Sequence, residues 1–152
     1  SPIVVNSGSV IFTDTTLLNF TTPTTTLTIN NGDFELHNTM QFIVVPGSSI
    51  DIFGGNFAVS DFVSLDFDNV DIFVGGNADF TDDSQLHMAN SDLTVNGGSF
   101  TTSSNVDIQF TSGFVSVTNG TFSTVDNVNM QFFSTPLSVA GDVIFNGTLA
   151  SN

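Results

Sequence analysis

The stretch LTVNGGSFTTSSNVDIQF at residues 93–110 returns 22 residues later as VSVTNGTFSTVDNVNMQF at residues 115–132. Both copies carry alternating apolar residues, then a Gly followed two residues later by Phe, and then a second alternating apolar pair. Alternation with a period of two is typical of a half-buried β-strand. A repeat of about 22 residues is typical of a solenoid, in which each copy forms one coil.

The Gly and the Phe of this stretch recur along the whole chain. Each Gly is followed two or four residues later by a Phe, and the Phe spacings are 22, 23, 23, 20, 22 and 23. The glycines are Gly8, Gly32, Gly55, Gly76, Gly98, Gly120 and Gly141. The phenylalanines are Phe12, Phe34, Phe57, Phe80, Phe100, Phe122 and Phe145. We expect the Gly to turn a corner that requires positive φ, and the seven Phe to form one inward aromatic column.

Two alternating apolar pairs flank these residues and complete the repeat. One pair precedes the Gly, as in Leu93 and Val95. The other stands six and eight positions after the Phe: Leu18 and Phe20, Met40 and Phe42, Val63 and Leu65, Leu86 and Met88, Val106 and Ile108, Val128 and Met130. The helix formers Ala, Glu and Lys are scarce or missing, which disfavours helices. The sequence predicts an all-β parallel β-solenoid of seven coils with about three short strands each, and residues 1–152 as a single domain.

The pattern resembles the right-handed parallel β-helix and β-solenoid repeats of bacterial adhesins, pectate-lyase-like proteins and some protist surface proteins. The resemblance covers nearly the whole chain, and it implies a right-handed coil. The lyases of this group use Arg or Lys beside calcium, and the hydrolases use Gly-His-Gly and Arg-x-Lys elements, all of which are absent here. We therefore expect no catalysis, and we expect Asp82–Asp83 to form a solvated corner.

The charge balance restricts the partners. The chain has 15 acidic residues, no Lys and no Arg, so its formal net charge at pH 7 is −15. Nothing in it can neutralise a phosphate, which excludes nucleic acid and anionic membranes as partners. The chain also has no Cys, so burial and backbone hydrogen bonds must hold it together without disulfides.

Calcium is the cofactor that the acidic residues suggest, because hard oxygen ligands suit that ion. Asp51 and Asp71 are expected to be neighbours on successive coils, and Asp66 and Asp68 lie on one outward run. The alternative is that exposed carboxylates are tolerated without metal. Two charges about 4.8 Å apart repel by only ~0.9 kcal/mol in water.

The two histidines and three sequons are the other candidate sites. Alternation points His87 outward, and we expect it in a polar ladder with Asn19, Gln41, Ser64, Asp107 and Asn129. His37 lies near a corner and predicts nothing specific. Asn19, Asn119 and Asn146 begin Asn-x-Thr sequons, which are candidate glycosylation sites in a eukaryotic secreted protein.

The function predicted from these features is an extracellular or cell-surface structural subunit. Seven residues follow Phe145, and a second copy would reach its own Phe12 at its twelfth residue, so head-to-tail copies would repeat the Phe after 19 residues, which is nearly one coil. Open solenoid ends invite stacking into a filament or surface layer. The segment 146–152, however, lacks the apolar pair expected at positions six and eight, which would make the junction imperfect.

Other interpretations remain open at this point. Five phenylalanines fall outside the inward columns, where they either face outward and support lateral association or are accommodated by bulges: Phe53, Phe62, Phe73, Phe114 and Phe133. An adhesin-type binding module with a glycan or ice face, excised from a longer repeat protein, is the second functional hypothesis. A carbohydrate-active enzyme is the third.

Overall fold

The computed structural model describes residues 2–14, 17–146 and 148–151. Within these ranges the chain forms 19 β-strands and no helix. No helix that could cross a membrane is therefore found among them. Successive strands lie on three faces in turn, and each strand pairs in parallel with the strand one coil away on the same face. The protein is a parallel β-solenoid, which confirms the predicted fold class.

Each face holds seven strands within the described residues, so six full turns separate the first strand from the last. Face A contains β1 (Ile3–Val5), β4 (Thr26–Ile29), β7 (Ser49–Ile52), β10 (Asp71–Val74), the first parts of β13 (Asp92–Ser103) and β15 (Phe114–Val125), and β17 (Leu137–Val139). Face B contains β2 (Ser9–Phe12), β5 (Asp33–Leu36), β8 (Asn56–Val59), β11 (Asn77–Phe80), the second parts of β13 and β15, and β18 (Asp142–Phe145). Face C contains β3 (Leu17–Phe20), β6 (Gln41–Val44), β9 (Ser64–Asp68), β12 (Gln85–Ala89), β14 (Asp107–Thr111), β16 (Asn129–Phe133) and β19 (Thr148–Ser151).

Face A has the register that the sequence predicts. The apolar pair before each Gly points inward, and its first members form one column: Ile3, Leu27, Ile50, Ile72, Leu93, Val115 and Leu137. The members in the middle coils are fully buried. Stacking like side chains on like at the strand spacing of about 4.8 Å fills the interior without gaps between coils.

The sequence predicted that the seven Phe share one inward column, and this prediction is wrong. The backbone register places Phe34, Phe57, Phe100 and Phe122 in one inward column of face B, whereas Phe12, Phe80 and Phe145 lie two residues further along their strands. The rings still form one continuous series. Centroids of successive rings lie 5.5, 5.9, 6.1, 5.2, 4.9 and 5.8 Å apart.

On face C, the inward side chains of several strands stand two residues later in the sequence than the predicted pairs. Phe42, Leu65, Leu86, Ile108 and Met130 form one inward column. The preceding apolar residues are buried in the corner before the strand, and they are Met40, Val63, Val106 and Val128. The last strand of this face, β19, pairs in parallel with β16 and continues the sheet into the seventh coil.

The corner glycines are required by close packing more often than by positive φ. Gly8, Gly55 and Gly120 have positive φ, but the other four predicted corner glycines do not. A Cβ on Gly32 would lie 2.6 Å from the carbonyl oxygen of Gly8, and every later corner Gly meets the carbonyl oxygen of the Gly one coil earlier in the same way. The expectation of positive φ was therefore wrong for Gly32, Gly76, Gly98 and Gly141, where Gly is required because a Cβ would collide with the backbone of the preceding coil. We call this series of stacked corner glycines the glycine ladder.

Candidate functional site

The two end coils differ from the inner coils in how well they cover their inward side chains. In the inner coils these side chains are almost completely buried. The apolar residues that pack on the core but stay partly exposed all belong to the first or the last coil: Ile3, Val10, Phe12, Leu18, Val143 and Phe145. Leu137 and Val139 of β17 are exposed outright. Each end of the described solenoid therefore presents an uncovered section of core.

The backbone at both ends is also unpaired on one side. Among the described residues, β1, β2 and β3 pair only with the second coil, and β17, β18 and β19 pair only with the sixth. Such strand edges carry rows of free N–H and C=O groups, which are templates for pairing with another chain. The core section and the strand edges together form what we call the end surfaces.

A depression lined by both polar and apolar groups lies in the middle of face C. A cavity of about 210 Å³ is lined by side chains of three adjacent strands, among them Asp66, Asp68, His87, Gln109 and Thr111. A second cavity, lined by Gln41, Ile43, Ser64 and Asp66 among others, adjoins it through the shared Asp66. Amide, hydroxyl, carboxylate and imidazole groups thus line one continuous strip on the outer surface of the sheet.

His87 does face outward, but the predicted polar ladder combined two rows. His87 shares a row with Asn19, Asp66 and Gln109, whereas Gln41, Ser64, Asp107 and Asn129 belong to the row two residues earlier, with Gln85 in place of His87. The His87 Nδ1 and Asp66 Oδ1 atoms are 3.0 Å apart. In the other row, Asn129 Nδ2 donates to Asp107 Oδ1 at 3.0 Å. The side chains stack along the coils in both rows.

The carboxylates proposed for calcium are less concentrated than the sequence predicted. Asp71 pairs in register with Ser49, so Asp51 is its diagonal neighbour and Phe73 stands opposite Asp51. Burial raises the pKa of Asp51 above its usual range, the hydrogen bond from Ser49 opposes this, and the nearby Asp71 adds to it. In the part of the chain that the structure describes, no group of three or more His, Asp or Glu is arranged to hold a metal ion.

Asp66 and Asp68 do lie on one outward run of β9, as predicted. Each already has a partner on the next coil, because His87 contacts Asp66 and Asn90 Nδ2 donates to Asp68 Oδ1 at 2.9 Å. Asp82 and Asp83 occupy a corner, and both have positive φ. Asp and Asn tolerate that conformation better than most residues.

His37 belongs to a network that the sequence did not predict. Its Nε2 atom lies 2.9 Å from Glu35 Oε2, and its Nδ1 atom lies 2.7 Å from Ser60 Oγ. Ser60 Oγ in turn donates to Asp61 Oδ2 at 3.0 Å. Because the Ser60 hydroxyl hydrogen points to Asp61, the Ser60 oxygen presents a lone pair toward the His37 ring. The contacts join two coils, and only the period of 23 between His37 and Ser60 hints at them in the sequence.

The remaining candidate residues lie at the surface. Phe53, Phe62 and Phe114 are exposed, and Phe73 and Phe133 are half-buried. The rings of Phe53 and Phe73 are 5.5 Å apart on the outside of face A. The sequon residues Asn19, Asn119 and Asn146 are all exposed as well.

Comparison of the chain with protein-family models, curated proteins and solved structures found no match. Function is therefore inferred from the residues and their geometry.

Proposed function

We propose that this protein is an extracellular structural subunit that stacks head to tail through its end surfaces into a filament or surface layer. The uncovered core at both ends is the observation that carries the proposal. Apolar side chains of the last coil, such as Val139 at 47% exposure, would be buried by a first coil that offers Ile3, Val10 and Phe12 in return. Burying apolar surface contributes roughly 25 cal/mol per Å².

Backbone pairing supports the same assembly. A further coil on either end would pair the free edge strands of all three faces in the way that the inner coils already pair. A heterologous contact of this kind does not close on itself, so it produces a filament rather than a dimer. The parallel ladders would then run through each joint without interruption.

Charge opposes the assembly and makes it sensitive to conditions. Each copy carries a formal charge of −15, and no Lys or Arg compensates it. The Debye length falls from about 30 Å at 0.01 M salt to about 8 Å at 0.15 M, so stacking should be favoured by salt. We propose that calcium or acidic pH promotes the assembly by the same reduction of repulsion, with Asp51, Asp66, Asp68 and Asp71 as the candidate calcium contacts.

The lack of Lys and Arg also fits an extracellular material, because trypsin-like proteases cut after these residues and would find no cleavage site in the chain. The exposed sequon residues Asn19, Asn119 and Asn146 would be accessible to glycosylation in a eukaryotic secretory pathway. The outward Phe53 and Phe73 offer an additional lateral contact between filaments. Localisation at the cell surface is part of the proposal.

Electron microscopy and sedimentation of the purified chain at micromolar concentration test the proposal, with calcium and with chelator, at neutral and acidic pH. We expect uniform fibres with an axial repeat of about 4.8 Å. The variant Val139→Asp places a charge on the end surface and should abolish them. Ile43→Asp, which changes an exposed residue of an inner coil, is the matched control and should assemble normally. Monodisperse monomers in every condition would refute the proposal.

A binding module is the second candidate, and the strip on face C is the observation that favours it. Its amide and hydroxyl groups suit a neutral glycan, whereas Asp66 and Asp68 would repel an anionic one. Calorimetry with neutral and anionic oligosaccharides tests this candidate. Binding that is lost in Gln109→Ala and kept in Asn129→Ala would support it, and the absence of binding to any neutral glycan would exclude it.

A further inference from the structure

The first and last coils carry nearly the same face B strand. GSVIF at residues 8–12 and GDVIF at residues 141–145 differ at one position, and they form β2 and β18 of the two end surfaces. We infer that a joint between two copies is in register, with β18 of one copy seated on β2 of the next. The inference rests on the proposed head-to-tail assembly and specifies its partner strands.

The inward side chains of these strands match across such a joint. Val143 belongs to the same inward column as Val10, and Phe145 belongs to the same column as Phe12. In the chain itself, Phe rings of one column on adjacent coils have centroids 4.9 to 5.9 Å apart. A joint in register would place Phe145 on Phe12 and continue the series of Phe rings from copy to copy.

The outward side chains show the same correspondence. Ile11 is 53% exposed and Ile144 is 55% exposed, and they occupy equivalent outward positions in the first and last coils. The residues in this row on the inner coils are not large and apolar: Glu35, Ala58, Asp79, Thr101 and Ser123. The row thus carries large apolar side chains only in the two end coils, where two copies would meet. A joint in register would bury Ile144 against Ile11.

The corner before β2 provides a third, steric correspondence. At each later corner Gly, the space for a Cβ is taken by the carbonyl oxygen of the Gly one coil earlier. At Gly8 this space is open, since nothing among the described residues lies within 4 Å of it. A joint in register would place the Gly141 carbonyl of the preceding copy there. A joint rotated by one face would bring a corner without this glycine ladder against it.

Cysteine pairs can distinguish the register, because residues 1–152 contain no Cys of their own. We would oxidise the double variant Ile11→Cys/Ile144→Cys after assembly and measure covalent oligomers without reductant. Adjacent strands lie about 4.8 Å apart, which is within the Cα separation that a disulfide allows. Within one chain the two residues are separated by six coils, or about 29 Å, so cross-linking would report only on contacts between copies. Both side chains are mostly exposed, so their replacement leaves the core intact.

The double variants Val4→Cys/Ile144→Cys and Leu17→Cys/Ile144→Cys are matched controls that report joints rotated to face A or face C. We expect at least tenfold more covalent oligomer from the Ile11 pair than from either control. Fibres that cross-link through a control pair, or through none, would overturn the register and leave the head-to-tail proposal standing. The absence of both fibres and oligomers would overturn the two together.

Discussion

Backbone conformation explains where many of the acidic residues occur. The corner between faces B and C contains two consecutive residues with positive φ in four coils: Asp61 and Phe62, Asp82 and Asp83, Ser104 and Asn105, Asp126 and Asn127. Short polar side chains that bond to the nearby backbone make this conformation less costly, which favours Asp and Asn. Five of the 15 acidic residues, the four in these pairs and Asp14, thus have positive φ, so their position follows from backbone conformation and does not by itself indicate a ligand.

Phe62 is the bulky residue at one of these positive-φ corner positions, with φ of 61° and 66% exposure. A bulky side chain in the left-handed region costs roughly 1–2 kcal/mol. We predict that Phe62→Asn raises the free energy of unfolding by about 1 kcal/mol, because Asn tolerates this conformation. Urea denaturation measures the change.

Phe53→Asn is the control for this prediction. Phe53 is exposed as well, but its φ is not positive, and its ring contacts Phe73. The control should therefore give no gain in stability. An equal gain in both variants would mean that exposed aromatic surface, and not backbone strain, had been relieved.

Thr102 provides a second test at the level of single side chains. It is fully buried in the inward column of face B, and its Oγ1 atom has no hydrogen-bond partner within the described residues. An unsatisfied buried polar atom costs about 1–3 kcal/mol. We predict that Thr102→Val raises the free energy of unfolding by about 1 kcal/mol in urea denaturation.

Thr124, one coil later in the same column, is the matched control. It is buried too, but its Oγ1 accepts a hydrogen bond from the backbone N–H of Asn146 at 3.0 Å. Thr124→Val should lower the free energy of unfolding, since it removes a hydrogen bond that the folded protein makes. Stabilisation by both substitutions would show that the benefit comes from apolar burial in general.

At the scale of the elements, the glycine ladder holds the corner between faces A and B at close range. A Cβ on Gly98 would overlap the carbonyl oxygen of Gly76, although φ at Gly98 is not positive. We predict that Gly98→Ala costs about 3 kcal/mol, because backbone atoms cannot move aside as a flexible side chain can. The shift of the urea midpoint measures it.

Gly47→Ala is the control for the ladder. Gly47 has positive φ, but a Cβ there would meet nothing within 4 Å among the described residues. Its replacement should cost only about 1 kcal/mol, which is the penalty for the left-handed conformation. A larger loss at Gly47 than at Gly98 would mean that φ, and not close packing, explains the corner glycines.

The sequence predicted the strands well and the columns less well. Face A could be read from alternation alone, because its corners keep the same phase in every coil, as Ile3 and Leu27 show. On face B the distance from Gly to Phe is two residues in some coils and four in others, as at Gly98 and Gly76. That difference places the Phe in two columns. Contacts between coils, such as those of His37, depend on this register and therefore could not be predicted from the sequence.

At the scale of the whole molecule, the acidic residues change the free energy of unfolding mainly through the few carboxylates that are shielded from water. Burial raises the pKa of Asp79, and a hydrogen bond with Thr101 opposes this shift only in part. The pKa of Asp51 is raised by burial and by Asp71, against the hydrogen bond from Ser49. The other carboxylates mostly lie at corners or in outward rows, where water and neighbouring amides solvate them. The molecule thus carries a formal charge of −15 without fully burying any acidic residue, since nine of the 15 are exposed and six are half-buried.

These two shifts determine the direction of the pH dependence. A raised pKa means that the folded state binds the proton more tightly than the unfolded state, so stability falls as pH rises through the folded pKa. We predict that the free energy of unfolding increases as the pH falls from neutral toward the usual Asp value of 3.8, and that this contribution is constant below it. Asp51→Asn/Asp79→Asn should raise the stability at neutral pH and flatten the dependence. Asp126→Asn removes a charge from an exposed corner and should change the pH dependence of stability less. Urea titrations at several pH values compare the two variants. An equal effect of both would assign the pH dependence to repulsion between the net charges instead of burial.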